Sequence, residues 1–162
     1  MAVVDRVKGD LQVDGKTYVG DSISNQKGSP ILNAEDVHCA RVARYTQEGT
    51  AADATQFLTM VTGASGTLKA VYAGCLVANI GDSTITVDIK QGNAGEASTT
   101  VLDSVISLDS GDSNREAVGG TLSVTDLNNE DVIEVVIDAT IGTGTLGVDV
   151  LVVLVYDENY PS

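Results

Sequence analysis

The second half of the chain alternates. In "STITVDIK" (83–90), Ile85, Val87 and Ile89 fall on one face and Thr84, Thr86, Asp88 and Lys90 on the other, the period-two pattern of a half-buried strand. "DVIEVVIDAT" repeats it, with Ile133, Val135, Ile137 and Ala139 against Glu134 and Asp138. "GVDVLVVLVYDE" places Val148, Val150, Val152, Leu154 and Tyr156 on one side. Its other side carries Leu151, Val153 and Val155, so the pattern predicts a strand buried on both faces. Shorter strand signals occur in "QFLTMVTG", ended by Gly63, in "GTLKAVYAGCLVANI", interrupted at Gly74, in "TTVLDSVISL" (99–108) and in "GGTLSV" (119–124). "NAEDVHCARVARY" admits a helical turn or two, against which its β-branched residues weigh. No segment carries a long 3.6-residue apolar period.

The first third reads differently. "DLQVDGKTYVGDSIS" turns about Asp14-Gly15, with Leu11 and Val13 leading in and Tyr18 and Val19 leading out. Asp-Gly supplies the positive φ angles of a tight hairpin turn. Residues 20–36 are polar and aperiodic around Gly28 and Pro30 and predict an extended loop. A lone two-stranded ribbon is marginal in water, so this portion must rest on its own body, a neighbouring subunit or a partner. The chain thus divides into an N-terminal arm, 1–36, and a body, 37–162. About eight strands in the body, separated by Gly, Asn and Asp, bury their apolar faces best as an antiparallel sandwich, and the eight-stranded form expected is jelly-roll-like.

Composition supports that all-β reading. Seventeen Gly stand against two Pro, aromatics are 4%, and there is no Trp, so the core is aliphatic. The formal charge of −14 is uneven: residues 1–50 hold seven acids and six bases, and the rest adds only Lys69, Lys90 and Arg115 against sixteen acids. An acidic body repels phosphate backbones, which argues against nucleic acid as a partner. No apolar run is long enough for a membrane-spanning helix. The opening "MAVVDRVKGD" is interrupted by charge and is not expected to act as a signal peptide, so synthesis in a cytoplasm is expected. Cys39 and Cys75 lack motif spacing; a disulfide and a reduced pair both remain open.

Gly-Asp-Ser occurs three times, ending at Ser22, Ser83 and Ser113. A serine esterase of this signature needs a histidine base and an orienting acid. The chain has one histidine, His38, which precedes Ser83 and Ser113, and the C-terminal "VYDENYPS" has none. Gly, Asp and Ser are also turn formers, each for its own reason, and the three sites are read as turns. "DSGDSN" and "DLNNED" are oxygen-rich; Asp109, Asp112, Asp126 and Asp131 are the candidates for Ca²⁺, though the twelve-residue calcium loop is absent and solvated turns are the reading adopted. One His and two Cys are too few for structural zinc. "GTGTLG" (142–147) lacks the Lys of a phosphate loop. Without Trp, and with Tyr45, Tyr72 and Tyr160 as its candidate platforms, carbohydrate stacking is weakly supported. No cofactor is expected. Arg41 and Arg44 are the densest positive charge; contact with acidic loops of a neighbouring subunit and simple solvation both fit them.

The cadence of "GTLKAVYAGCLVANIGDSTITVDIKQGN", "VLDSVISLDSGD" and "VGGTLSVTDLNNEDVIEVVIDATIGTGTLGVDVLVVLVY" resembles β-rich structural proteins of tailed bacteriophages, most closely capsid decoration, or cement, proteins. The resemblance implies a jelly-roll structural protein without enzymatic activity, located on the outer capsid surface of a virion. It implies the major capsid protein of the same particle as partner and a homo-oligomer, by analogy a homotrimer. On this reading Leu11, Val13, Tyr18, Val19, Ile31, Arg41 and Arg44 are the candidate capsid or subunit contacts, and the arm anchors while the body oligomerises. A trimeric tail-fibre or receptor-binding domain recognising host glycan or protein is the alternative, and a serine esterase is the third class.

Overall fold

The structure, a computed structural model, describes residues 11–13, 16–19, 22–24, 30–33, 38–63 and 65–159, and side chains from residue 40 onward. All regular elements among them are strands. In the first third, β1 (Leu11–Val13) pairs antiparallel with β2 (Lys16–Val19), Leu11 opposite Tyr18, as a hairpin about Asp14-Gly15 requires. The turn itself lies outside the described residues. The segment expected as an extended loop contributes two more strands, β3 (Ser22–Ser24) and β4 (Pro30–Asn33), completing a four-stranded sheet in the order β1-β2-β3-β4. Pro30 is compatible with this because it opens an edge strand, where no ladder donor is needed.

The body begins with β5 (His38–Thr50), a continuous strand where a helical turn had also been allowed, and continues through β6 (Ala54–Met60), β7 (Ser65–Val77) and β8 (Thr84–Gly92). The expected strand 99–108 is broken into β9 (Thr99–Thr100) and β10 (Ile106–Leu108). The expected strand 119–124 is displaced to β11 (Val118–Gly120), and β12 (Asp126–Asn128) follows it unforeseen. The long strands β13 (Val132–Thr140) and β14 (Val148–Asn159) close the chain.

One sheet has the order β10-β8-β13-β6, with β9 also on β8; the other has the order β11-β7-β14-β5, with β12 also on β7. The first body strand therefore shares a sheet with the last, the second with the second-last, and so on inward. That nesting, with every pairing antiparallel, is a jelly roll. Alternation is kept where it was expected: Val87 and Ile89 stand opposite Ile137 and Val135 within one sheet, and these four, with Ile85 and Ile133, are buried. From the other sheet Leu68, Val71, Ala73, Val150, Val152, Leu154 and Tyr156 fill the gap.

One expectation fails. Leu151, on the second face of β14, is 42% exposed, and Val153 and Val155 are only half-buried. Apolar residues on both faces signify double burial in a sheet covered on both sides, whereas β14 belongs to an outer layer of a two-layer sandwich.

Candidate interaction face

The two ends of the sandwich carry its polar pins. At the end where β14 begins, Asn79 is buried and bridges chain segments: its Nδ2 donates to Leu108 O (2.7 Å) and its Oδ1 accepts from Gly147 N (2.7 Å). Gly81, at φ +69°, packs against Gly144. Ser83 beside it is fully buried, and its Oγ accepts from Gly142 N at 3.0 Å. This serine ties two turns together. His38 is register-paired with Asn159, at the other end of β14 from Val148, roughly 35 Å away at strand spacing. No side chain spans that distance, so Ser83 and His38 form no catalytic pair. Ser113 is exposed, its N–H given to Glu116 Oε2 (2.6 Å). Ser22 lies in β3, and its side chain falls outside the described residues.

At the opposite end Glu158 is buried, 3% exposed. Its Oε1 accepts from Thr62 N (2.6 Å), Thr62 Oγ1 (2.9 Å) and Gly63 N (2.6 Å), and its Oε2 from Arg41 Nε (2.9 Å). Burial alone pushes this carboxyl up, but the bonds from Thr62, Gly63 and Arg41 outweigh it and hold its pKa below the ordinary value. The pin fastens the β6–β7 connection and the start of β5 to β14.

The calcium candidates are not brought together. Asp112 Oδ2 accepts from Asp109 N (2.8 Å) and Asp109 Oδ1 from Gly111 N (2.7 Å), both in the β10–β11 loop. Asp131 caps Asn128 N (2.7 Å) at the far end of the molecule, and Asp126 is exposed beside it. No group of three or more His, Cys, Asp or Glu placed to hold a metal occurs among the described residues. Cys75 is free and buried, and burial, followed by the charge of Asp112, pushes its thiol pKa up. Cys75 pairs with Val150 and Cys39 with Glu158 along β14, so their backbones lie roughly 26 Å apart at strand spacing, beyond disulfide reach.

The notable surface is the outer face of the β5–β14–β7 sheet. Register defines its rows. Val155 lies between Val42 and Ala70, Val153 between Arg44 and Tyr72, and Leu151 between Thr46 and Gly74. Val42 is 54% exposed and Tyr72 44%, and the Tyr72 ring lies over Gly119 of β11. Beside Leu151 a groove of about 370 Å³ is bounded by Tyr72, Leu76, Arg115, Glu116 and Asp149. The outer face of the other sheet is more polar, with Thr84, Thr86, Asp88 and Lys90 on β8 and Glu134 and Asp138 on β13, though Val136 stands between those two acids and Phe57 on β6, opposite Glu134, is 62% exposed. Charge is partitioned in the same sense. Arg41, Arg44, Lys69 and Arg115 stand on or beside the apolar sheet; Lys90 is the one Lys or Arg on the other sheet among the described residues.

Of the contacts expected from sequence, Arg41 serves the Glu158 pin, and Arg44 is exposed on the apolar face. Leu11, Val13, Tyr18 and Val19 lie on the β1–β2 hairpin and Ile31 on β4; their side chains fall outside the described residues. Sequence reasoning missed the exposure of Leu151, Val153 and Val155, because apolar residues on both faces of a strand signal burial.

No protein-family model matches the chain, and no curated protein matches it. Among solved structures, a chain of the "Capsid of Ralstonia phage GP4" superposes with a TM-score of 0.50, covering 76% of this chain and 86% of that one at 19% sequence identity. A chain of the "Structure of infectious bursal disease virus Gt strain" aligns over 93% of this chain and 44% of that one, at 12% identity and a TM-score of 0.35, and bears no weight. At such identity the first likeness establishes the fold: this is an all-β, jelly-roll sandwich.

Proposed function

We propose that this chain is a non-enzymatic structural protein of a virion, a decoration or cement protein that binds the outer surface of a coat lattice and stabilises it. The observation that carries the reading is the alignment with a chain of a phage capsid over most of both chains. The alignment takes in 86% of that chain. The geometry agrees: Ser83 is sealed into a turn, and the apolar surface is a broad sheet face bordered by a shallow groove. Broad, preformed contacts suit lattice bridging, and several weak ones act together through effective concentration.

On this reading residues 1–36 anchor the chain through backbone pairing or apolar contact with the coat, using Leu11, Val13, Tyr18, Val19 and Ile31, and residues 37–162 form the outward body. Among the described residues the core and the apolar side chains packed on it lie between Ala43 and Tyr156, so the body should fold without the arm. The test is co-sedimentation with capsids stripped of this chain, using the full chain and a version lacking residues 1–36. The full chain should bind, and the shortened one should remain folded and soluble but stay in the supernatant. Binding by the shortened chain would remove the arm as anchor; failure of the full chain to bind would reject the capsid role.

A further inference from the structure

We propose that the outer face of β5, β14 and β7 is a contact between two copies of this chain, packed face to face about a two-fold axis running along β14.

Electrostatics selects this face. On the three strands and the adjoining groove, Arg44, Lys69 and Arg115 stand against Glu48, Glu116, Asp149 and Asp157, close to neutral. Elsewhere on the described body Lys90 alone opposes the remaining carboxylates, Glu158 apart. Two such bodies repel wherever acidic surfaces meet. They can approach closely only through the near-neutral face, which is also the apolar one.

Register makes the centre of the face self-complementary. Rotation about β14 lays Val153 on Val153 and Leu151 on Leu151; at the two ends it brings Asp149 to Asp149 and Asp157, ion-paired with Lys69, to Asp157, so the contact is held by the apolar rows between them. Because Arg44 and Tyr72 flank Val153 on opposite sides, the same rotation places Arg44 of each copy over the Tyr72 ring of the other, a cation–π arrangement made twice. The row of Val42, Val155 and Ala70 meets itself as apolar surface throughout. Three strands about 4.8 Å apart and roughly 35 Å long give about 500 Å² per copy and about 1,000 Å² in all, the lower limit of a specific interface. The pair is therefore concentration-dependent. An isologous face closes at two copies, so this contact is distinct from any three-fold association. It is a property of the isolated chain and does not rest on the capsid reading.

Sedimentation equilibrium of the full chain, from about 1 μM to about 1 mM, should show a reversible monomer–dimer equilibrium. Leu151→Asp should raise Kd at least tenfold and leave thermal unfolding of the monomer unchanged. In a Cys39→Ser background, Val153→Cys should form a covalent dimer on mild oxidation, whereas Thr86→Cys, on the outer face of the other sheet, should not. Where Leu151→Asp fails to fold, the Val153→Cys cross-link decides. A full chain that stays monomeric throughout, a dimer unaffected by Leu151→Asp, or a Val153→Cys chain that does not cross-link would each overturn the proposal. So would a monomer in which Leu151→Asp alters only capsid binding, since the face would then belong to the coat.

Discussion

Replacing Glu158 with Ala should cost the body about 2–6 kcal/mol, the range for leaving two buried backbone N–H groups without an acceptor. The carboxylate takes four donors, two of them the backbone N–H groups of Thr62 and Gly63, and an unpaired buried N–H costs about 1–3 kcal/mol. Those two groups supply most of the loss. Arg41 contributes less: its side chain is 42% exposed, so solvent screens the pair, and Arg41→Ala should cost about 1 kcal/mol. Glu158→Gln keeps one acceptor but turns an amide NH₂ toward a donor, and an intermediate cost of about 1–3 kcal/mol follows. The pH dependence has a definite sign. Because the folded-state pKa lies below its ordinary value of 4.5, the stabilisation is complete above that value and is lost as pH falls through the lower, folded-state value. Urea denaturation of the wild type and Glu158→Gln between pH 7 and about pH 3 should show the gap in stability narrowing once pH drops below 4.5. A gap that stays constant to pH 3, or a Glu158→Ala penalty under about 1 kcal/mol, would refute the pin.

Two further predictions concern the opposite end. Ser83→Ala leaves Gly142 N without its acceptor and should lower unfolding free energy by about 1–3 kcal/mol in the same assay; a panel of ester substrates should show no serine-dependent turnover with either protein. Gly144→Ala would set a Cβ 1.7 Å from Ile80 O, so the turn must move, and a loss of at least about 3 kcal/mol is expected by thermal unfolding.

Strand existence was legible wherever alternation ran for several residues, because one buried face per strand imposes it: β8 and β13 were located by their Ile and Val positions alone. The short strands were not. In "TDLNN" only Leu127 turns inward, and one apolar residue among turn formers looks the same in a loop. The loop reading of 20–36 failed for a related reason, since three- and four-residue strands give no period to detect. Strand order was beyond local reasoning because β14 pairs with β5 across more than a hundred residues: Arg41, bonded to Glu158, is 117 positions away. The Glu158 pin was hidden likewise, since nothing in "VYDENYPS" distinguishes this acid from its solvated neighbours until Thr62, Gly63 and Arg41 converge on it.

The apolar second face of β14 was visible in sequence and was given the wrong cause. β-propensity does not explain it, because Thr serves an exposed strand face as well as Val does. The same molecule shows the alternative: β8, equally central in its own sheet, presents Thr84, Thr86 and Asp88 outward where β14 presents Leu151, Val153 and Val155. Both strands meet the same requirement from the core and differ only in what they show the outside. Exposed aliphatic surface gives an isolated monomer nothing that threonine would not, and each such side chain gains about 25 cal/mol per Å² once covered. The proposed contact between two copies would account for the difference between β14 and β8, since it covers one strand and leaves the other in water, and the near-neutral charge of the apolar side would permit that cover to be another acidic body.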